Sequence, residues 1–278
     1  MIAVDRELLA ELEVTLASAS IPDAAGEALT IVHAALRQAA PGDYAQRARD
    51  IAIARARGTP LAYLTSQASF MGVNVFVAPG ALIPRDETEL LGHSALDVLK
   101  MLPPEPRLID MCCGSGNLAV GIASNHATVR VWASDLTADA VAVARTNVDR
   151  LRLADRVEVR QGDLFAPLTG CGLEGTIDVV VCNPPYISTG KLRSERAVLL
   201  EHEPREAFDG GPYGVTIFQR VVRDSTSFLK PGGHLLFEIG VGQERQVTLL
   251  LGRANRYDPP VVVRDSAREP RVLVARMK

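Results

Sequence analysis

The sequence lacks any long apolar run, and none of its hydrophobic stretches approaches the ~18 residues that a membrane-spanning helix needs. It has little cysteine: there are four residues, and none forms the C-x-x-C pair typical of zinc or redox sites. Charged residues interrupt the first sixteen positions, which is not typical of a secretory signal. These absences lead us to expect a reduced, cytoplasmic protein with no membrane partner and no metal site.

An excess of positive charge is also absent. The 278 residues include 30 Lys and Arg against 33 Asp and Glu, a formal net charge of -3. Tight binding to long nucleic acid depends on many basic side chains that face phosphates, so we expect no such partner. The chain is nevertheless 47% hydrophobic, which is enough for a packed core.

The sequence pattern changes near residue 65. Before this point apolar residues recur at helical spacing, as in the stripe formed by Leu8, Leu12 and Leu16. Residues 69–77 then alternate as a strand does, and we expect them to be one arm of a β-hairpin. The predicted organisation is a helical N-terminal domain at residues 1–65, a β-hairpin linker at 66–80 and a further domain at 81–278.

Short apolar strands alternate with helices through the C-terminal part of the chain. This pattern indicates an α/β fold with a mostly parallel sheet, covered on both faces, whose ligands bind at the carboxyl ends of the strands. The connection at residues 184–214 is much longer than usual, so we expect it to cover an active site. The predicted strands are 107–111, 129–134, 156–160, 177–182, 233–239, 261–264 and 271–275, and the predicted helices are 117–124, 137–150, 217–229 and 242–252.

The first strand of this sheet leads into the segment Asp110-Met111-Cys112-Cys113-Gly114-Ser115-Gly116. Glycines here allow the backbone to approach a ligand closely. The segment fits a methyl donor, but Gly114, Gly116 and Ala119 also satisfy the dinucleotide pattern G-x-G-x-x-A, with Asp135 where a ribose-binding acid belongs. A tight turn without a ligand is a third reading, and this segment alone leaves all three open.

The fourth strand of the sheet ends at Asn183-Pro184-Pro185-Tyr186. Two prolines remove two backbone donors and fix φ, which leaves carbonyl oxygens beside an amide oxygen and an aromatic ring. The Asn183 amide oxygen and the Pro184 carbonyl can accept the two hydrogens of a planar NH₂ group, and Tyr186 can lie against that group. A rigid turn is the structural alternative, but the pattern favours methylation of an amino group.

These segments, together with Asp135 and Gly162-Asp163, resemble class I S-adenosyl-L-methionine-dependent methyltransferases. Further segments resemble the HemK/PrmC family, the peptide chain release factor N5-glutamine methyltransferases; they are residues 58–63, 70–72, 82–91, 201–214 and 229–233. The resemblance implies a Rossmann-like domain with a seven-stranded, mostly parallel sheet. It also implies that the helical N-terminal domain recognises the substrate or partner.

The resemblance further implies that S-adenosyl-L-methionine is the cofactor and S-adenosyl-L-homocysteine its product. It assigns cofactor contacts to Asp110, Cys112, Cys113, Gly114, Ser115, Gly116, Asp135, Asp163, Leu164 and Asn183. It assigns the glutamine substrate to Asn183, Pro184, Pro185 and Tyr186, of which Asn183, Pro184 and Tyr186 are catalytic. Arg85 and Thr88 are expected near the cofactor.

The sequence also departs from the family pattern. Cys112 stands where the family usually has glycine, Leu164 replaces a common Trp, and the helical region is short. These departures motivate a second hypothesis, N- or O-methylation of a small metabolite or an amino-acid-derived natural product. A cofactor-binding module without transfer activity and an amino-methylating enzyme of nucleic acid are weaker hypotheses, since the motif at 183–186 is intact and the chain is slightly acidic.

Overall fold

The computed structural model describes residues 5–40, 42–194 and 200–278. The chain divides into two compact units, Met1–Gln67 and Ala68–Lys278. Within the described ranges, every helix is too short or too polar to cross a bilayer.

The first unit is helical. Its first two helices begin after side-chain caps: Asp5 accepts hydrogen bonds from the backbone of Glu7 and Leu8, and Asp23 accepts one from Gly26. The predicted apolar stripes form its core, with Leu12, Leu16 and Ile31 almost fully buried. The helices are α1 (Arg6–Ser18), α2 (Ala24–Gln38), α3 (Tyr44–Ala56) and α4 (Leu61–Thr65).

The structure contains the β-hairpin expected within residues 66–80, but the single strand predicted at 69–77 is wrong in extent, since this segment holds the end of one arm, the turn and the other arm. Strands β1 (Gln67–Phe70) and β2 (Val73–Phe76) form a two-stranded sheet. Met71 and Gly72 between them have φ values of 48° and 77°. Two consecutive residues at positive φ form the tight turn that suits the twist of a hairpin, so the chain reverses here.

The second unit contains a seven-stranded sheet in the order β5-β4-β3-β6-β7-β9-β8, as expected of the α/β fold. Strand β9 is antiparallel to both neighbours and the other pairs are parallel. All six residues of β6 are buried, which explains its continuous apolar sequence. The strands are β3 (Arg107–Met111), β4 (Arg130–Asp135), β5 (Val157–Gln161), β6 (Ile177–Cys182), β7 (Leu229–Glu238), β8 (Val261–Arg264) and β9 (Pro270–Arg276).

Helices of the second unit cover this sheet. Phe218 and Val221 pack with Ile109 and Val180 of the central strands in one apolar core. The first helix of the unit, at Asp86–Leu99, was not predicted, and three acidic residues stand in its first turn, where they complement the helix dipole. The helices are α5 (Asp86–Leu99), α6 (Asn117–Asn125), α7 (Ala138–Arg150), α8 (Thr189–Ser194), α9 (Thr216–Asp224) and α10 (Glu244–Ala254).

The sheet register places two turns side by side. Met111, the last residue of β3, pairs with Cys182, the last residue of β6. Parallel strands present their carboxyl ends at one edge, so the segments at 112–116 and 183–186 leave that edge as neighbours. We refer to them as the glycine turn and the proline turn.

Candidate active site

A cavity of about 390 Å³ lies at the carboxyl ends of the central strands. Its size is within the range of small-molecule and cofactor sites. The predicted site residues that line it are Thr88, Cys112, Cys113, Gly114, Asp135, Asp163, Leu164, Asn183 and Pro185. The predicted residues Asp110, Ser115, Gly116, Pro184 and Tyr186 lie outside its lining.

The glycine turn is shaped by its backbone. Cys112, Gly114 and Gly116 have φ values of 57°, 53° and 74°, a conformation that L side chains rarely adopt. A Cβ atom added at Gly114 would meet no atom within 4 Å. Gly114 thus exposes bare backbone to the cavity, which is the property that a close approach of a ligand requires.

Asp110 supports this turn from below. Its side chain is fully buried, and Oδ2 accepts a hydrogen bond of 3.0 Å from the backbone N–H of Ala119 in α6. Its Oδ1 is buried with no hydrogen-bond partner among the described residues. Burial raises the pKa of Asp110 to about 8, and the charge of Asp135 adds to the shift. Burial thus favours the protonated form of Asp110, which joins β3 to α6, while its predicted contact with a cofactor stays a prediction.

Ser115 and Gly116 also act within the protein. The carbonyl of Ser115 accepts a hydrogen bond of 2.9 Å from Nδ2 of the buried Asn147. A Cβ atom at Gly116 would lie 3.0 Å from Cβ of Ala144 in α7. Both residues therefore fix the glycine turn against α7.

Asp135, at the end of β4, joins the glycine turn to the next loop. Its Oδ2 accepts a hydrogen bond of 2.9 Å from the Gly114 N–H, and its Oδ1 accepts one of 3.1 Å from the Thr137 N–H. A carboxylate has about four acceptor positions, so Asp135 retains capacity for a ligand hydroxyl.

Asp163 and Leu164 form the far wall of the cavity. Oδ2 of the Asp163 carboxylate lies 2.7 Å from Nη2 of Arg220. The contact predicted between Asp163 and a ligand would therefore be made by a carboxylate that is also paired with the Arg220 guanidinium. Leu164 has a φ of 50°, and its carbonyl accepts a hydrogen bond of 2.7 Å from the hydroxyl of the buried Ser134. Leu164 and Ile217 make this wall apolar, which suits a flat aromatic group.

The proline turn presents one side-chain amide to the cavity. Nδ2 of Asn183 donates a hydrogen bond of 3.1 Å to Oγ1 of Thr88. Its amide oxygen Oδ1 is thereby left to face a ligand. Pro185 lines the cavity beside it, whereas Pro184 is buried.

Tyr186 turns toward the protein interior. It packs against the main core, and a Cβ atom at Gly240 would lie 2.9 Å from its ring. Nε2 of Gln243 donates a hydrogen bond of 3.0 Å to the Tyr186 carbonyl and one of 3.2 Å to the Gly214 carbonyl, so Gln243 holds the end of the proline turn. Burial raises the pKa of the Tyr186 phenol, and Glu238 contributes to that shift. The predicted contact of this ring with the substrate stays a prediction.

The long connection at 184–214 lines the cavity through Arg205 and Asp209. Residues 195–199 of this connection lie outside the described residues. Glu203 is buried and accepts hydrogen bonds from the backbone of Ile83 and from the guanidinium of Arg85. This carboxylate therefore serves the protein itself, and no group of three metal-ligating side chains occurs in the described part of the chain.

Two thiols beside the cavity are held in the neutral form. Burial raises the pKa of Cys113 and of Cys182 well above the usual value, and the Cys112 thiol adds to the shift at Cys182. Thiols are weak nucleophiles, so Cys182 behaves as a small apolar residue.

Three residues behind the proline turn were not predicted from the sequence: Glu238, Arg271 and Gln243. Glu238 is 2% exposed, and it accepts a hydrogen bond of 2.6 Å from Thr88. An acidic residue at the end of the apolar strand β7 was the available signal, because buried carboxyl groups need partners.

Comparison with known proteins supports the class of enzyme that this site indicates. Residues 91–203 match the sequence model of the family described as "Methyltransferase small domain". The ribosomal protein L11 methylase of Lactobacillus delbrueckii subsp. bulgaricus has the same fold, with a TM-score of 0.51 and 18% identity over 73% of this chain and 84% of that one. The protein is a methyltransferase.

Closer relatives define the family. The release factor glutamine methyltransferase of Moorella thermoacetica is 39% identical over 222 residues, which cover 80% of this chain and 76% of the relative. That of Gloeobacter violaceus is 35% identical over 215 residues, or 77% of this chain and 73% of the relative. The chain belongs to the release factor glutamine methyltransferase family, which confirms the resemblance seen in the sequence.

Proposed function

We propose that the protein transfers a methyl group from S-adenosyl-L-methionine to the side-chain amide nitrogen, N5, of a glutamine in a peptide chain release factor. One observation carries this proposal. A single cavity is bordered by the bare backbone of Gly114, the carboxylate of Asp135 and the free amide oxygen of Asn183. The names of the relatives support the choice of acceptor.

The residues around the cavity fit the proposed cofactor. The glycine turn would hold its methionine part, where nothing lies within 4 Å of a Cβ at Gly114. The Asp135 carboxylate would accept from the ribose hydroxyls, and the apolar wall of Leu164 and Ile217 would hold the adenine. When bound, this cofactor supplies an electrophilic methyl group on a positively charged sulfur.

The chain's own contribution is alignment. An amide nitrogen is a weak nucleophile, because its lone pair is delocalised into the carbonyl. Asn183 Oδ1 would accept a hydrogen bond from one N–H of the glutamine, and the carbonyl of Pro184, whose side chain lies outside the cavity lining, would accept one from the other. These two bonds would hold the nitrogen in line with the methyl carbon. Positioning of this kind contributes up to ~7–11 kcal/mol to a transfer reaction.

The same acceptors stabilise the reaction as it proceeds. Positive charge grows on the nitrogen during transfer, and preorganised oxygen acceptors interact more strongly with a more positive N–H. The nitrogen becomes more acidic on methylation and can lose its proton afterwards. A catalytic histidine is therefore not required.

The helical unit would recognise the release factor. We assign it this part because residues 1–65 lie outside the cavity-bearing unit. The reaction would take place in the cytoplasm, where release factors act on ribosomes.

Mass spectrometry of a purified release factor tests the proposal directly. Incubation with the enzyme and S-adenosyl-L-methionine should add one methyl group to the glutamine of its Gly-Gly-Gln loop. A release factor with that glutamine replaced by alanine is the control, and it should gain no methyl group. Methyl incorporation that is equal in the two substrates, or absent from both, would reject the proposal.

A further inference from the structure

A chain of hydrogen bonds lies behind the catalytic amide. Asn183, just after β6, donates a hydrogen bond of 3.1 Å to Thr88 in the first turn of α5. The Thr88 hydroxyl in turn donates a hydrogen bond of 2.6 Å to Oε2 of Glu238 at the end of β7. Thr88 and Glu238 are each only 2% exposed. The two hydrogen bonds thus connect the end of β6, helix α5 and the end of β7 through the buried side chains of Thr88 and Glu238.

These two hydrogen bonds determine which atom of the Asn183 amide faces the cavity. A hydroxyl group has one hydrogen, and an ionised carboxylate can only accept. When Glu238 is ionised, as at pH 8, the hydrogen of Thr88 is committed to Glu238, and Oγ1 of Thr88 can only accept from Asn183. The amide must then turn its NH₂ toward Thr88 and its oxygen toward the cavity.

Charged groups from other elements surround Glu238. Nη2 of Arg271 in β9 lies 3.8 Å from Oε1 of Glu238 and 3.6 Å from Glu87 of α5. Burial raises the pKa of Glu238 to about 7, whereas the Thr88 hydrogen bond and the charge of Arg271 oppose that rise, and Tyr186 also faces the carboxyl. Glu238 is consequently ionised above neutral pH.

We propose that Thr88, held by Glu238, is a positioning residue that orients the Asn183 amide so that Oδ1 faces the substrate nitrogen. This inference rests on the proposed function, in which the substrate offers two N–H donors. A reversed amide would set its own NH₂ against those donors. The orientation therefore decides whether Asn183 attracts or repels the group that it must align.

Kinetics at pH 8 test the proposal with two variants of Thr88. Thr88→Val keeps the shape and removes the hydroxyl, and we expect kcat on the release factor to fall roughly 10-fold to 100-fold, the effect of losing one buried hydrogen bond. Thr88→Ser keeps the hydroxyl and should restore kcat to within about threefold of the natural enzyme. KM and the affinity for S-adenosyl-L-homocysteine, measured by calorimetry, should change by less than about threefold in both.

Thr176→Val is the matched control. It removes a hydrogen-bonded hydroxyl just before β6, at the opposite end of the strand from Asn183, and should leave kcat unchanged. A normal kcat in Thr88→Val would overturn the proposal. So would an equal loss in Thr88→Val and Thr88→Ser, or a loss confined to KM or to cofactor affinity.

Nuclear magnetic resonance supplies a readout without turnover. In protein labelled with ¹⁵N-asparagine, the Asn183 NH₂ signal is identified by its disappearance in Asn183→Ala. We expect its hydrogen exchange at pH 8 to be at least about tenfold slower in the natural protein and Thr88→Ser than in Thr88→Val, since a buried hydrogen bond protects it. Equal exchange in all three overturns the orientation, whereas protected exchange without methyl transfer upholds it and rejects only the proposed function.

Discussion

The glycine turn and the proline turn border one cavity, but different parts of the chain determine their shapes. Backbone conformation shapes the glycine turn, with three of its residues at positive φ, and the side chains of Asp135 and Asn147 bond to that backbone. Side-chain contacts hold the proline turn, through Thr88 at one end and Gln243 at the other. A cofactor can thus bind closely against bare backbone, as at Gly114, whereas a substrate amide needs a hydrogen-bond acceptor of fixed orientation.

The two turns share one feature, a buried carboxyl group near the end of a strand, which is β3 itself for the glycine turn and β7, beside β6, for the proline turn. Asp110 lies under the glycine turn and Glu238 lies behind the proline turn, and burial raises their pKa values to about 8 and about 7. The two groups differ in their contacts. Glu238 is joined to Asn183 through Thr88, whereas Asp110 bonds to the backbone of α6 and leaves one oxygen without a partner among the described residues.

The largest expected effect separates the two turns by function. Asn183→Ala should lower kcat by roughly 10²-fold to 10³-fold, as does removal of one preorganised group that stabilises a transition state. Affinity for S-adenosyl-L-homocysteine should change far less, because Gly114 and Asp135 remain. Turnover assays and calorimetry on the same preparation measure both quantities.

Asp135→Ala is the contrasting variant for this prediction. It removes a carboxylate that accepts from Gly114, and it should weaken S-adenosyl-L-homocysteine binding roughly 10-fold to 100-fold through the loss of charge-assisted hydrogen bonds. A variant pair with reversed effects, in which Asn183 controls affinity and Asp135 controls only turnover, would contradict the assignment of the two turns.

The next prediction concerns the carboxyl group under the glycine turn. The pKa of Asp110 is raised from 3.8 to about 8, so the folded protein keeps a proton that the unfolded chain releases as pH rises. The unfolded state then binds fewer protons, and the stability of the fold falls between about pH 4 and pH 8. Asp110→Asn cannot titrate, and on the order of a few kcal/mol of this decline should disappear.

Thermal unfolding of the cofactor-free protein at pH 5 and pH 8 measures this effect. The Tm of the natural protein should drop more between the two pH values than that of Asp110→Asn. Glu238→Gln gives the corresponding comparison behind the proline turn, with a smaller reduction because its pKa is raised only to about 7. A decline in Asp110→Asn as steep as in the natural protein would show that Asp110 is ionised in the fold.

The sequence predicted both turns because their signals are local. The bounds of β3 and β6 were predicted correctly, since continuous apolar runs end at residues of different chemistry. The hairpin was also predicted, but the strand based on Val73, Val75 and Val77 was extended too far back, because only backbone conformation reveals the reversal at Met71 and Gly72.

Long-range contacts could not be predicted in the same way. Thr88 and Asn183 are 95 positions apart, and Thr88 and Glu238 are 150 apart, so no periodicity relates them. The inward position of Tyr186 depends on the absence of a side chain at Gly240, which only the folded chain brings near. Local chemistry thus identified the atoms of the site, and tertiary structure determined how they are oriented.

A moderate effect is expected within the glycine turn itself. Gly116→Ala should lower the free energy of unfolding by roughly 1–3 kcal/mol, because its Cβ would lie 3.0 Å from Cβ of Ala144 and its φ is 74°. Gly114→Ala has the same unfavourable φ but open space, so it should lose only about 1 kcal/mol of stability while weakening cofactor binding. Denaturant unfolding and calorimetry distinguish the two, and equal stability losses would contradict this division.

The smallest expected effect is at Cys112, where the chain departs from the glycine usual in the family. Its φ of 57° is unfavourable for a side chain, so Cys112→Gly should raise the free energy of unfolding by up to about 1 kcal/mol. Cys112→Ala removes the thiol but keeps the strain, and it should give no such gain in denaturant unfolding. If Cys112→Gly is destabilising, the contact between the Cys112 and Cys182 thiols outweighs the strain. The shape of the glycine turn would then depend on a contact made by one of its own side chains, as the proline turn depends on the Asn183 side chain.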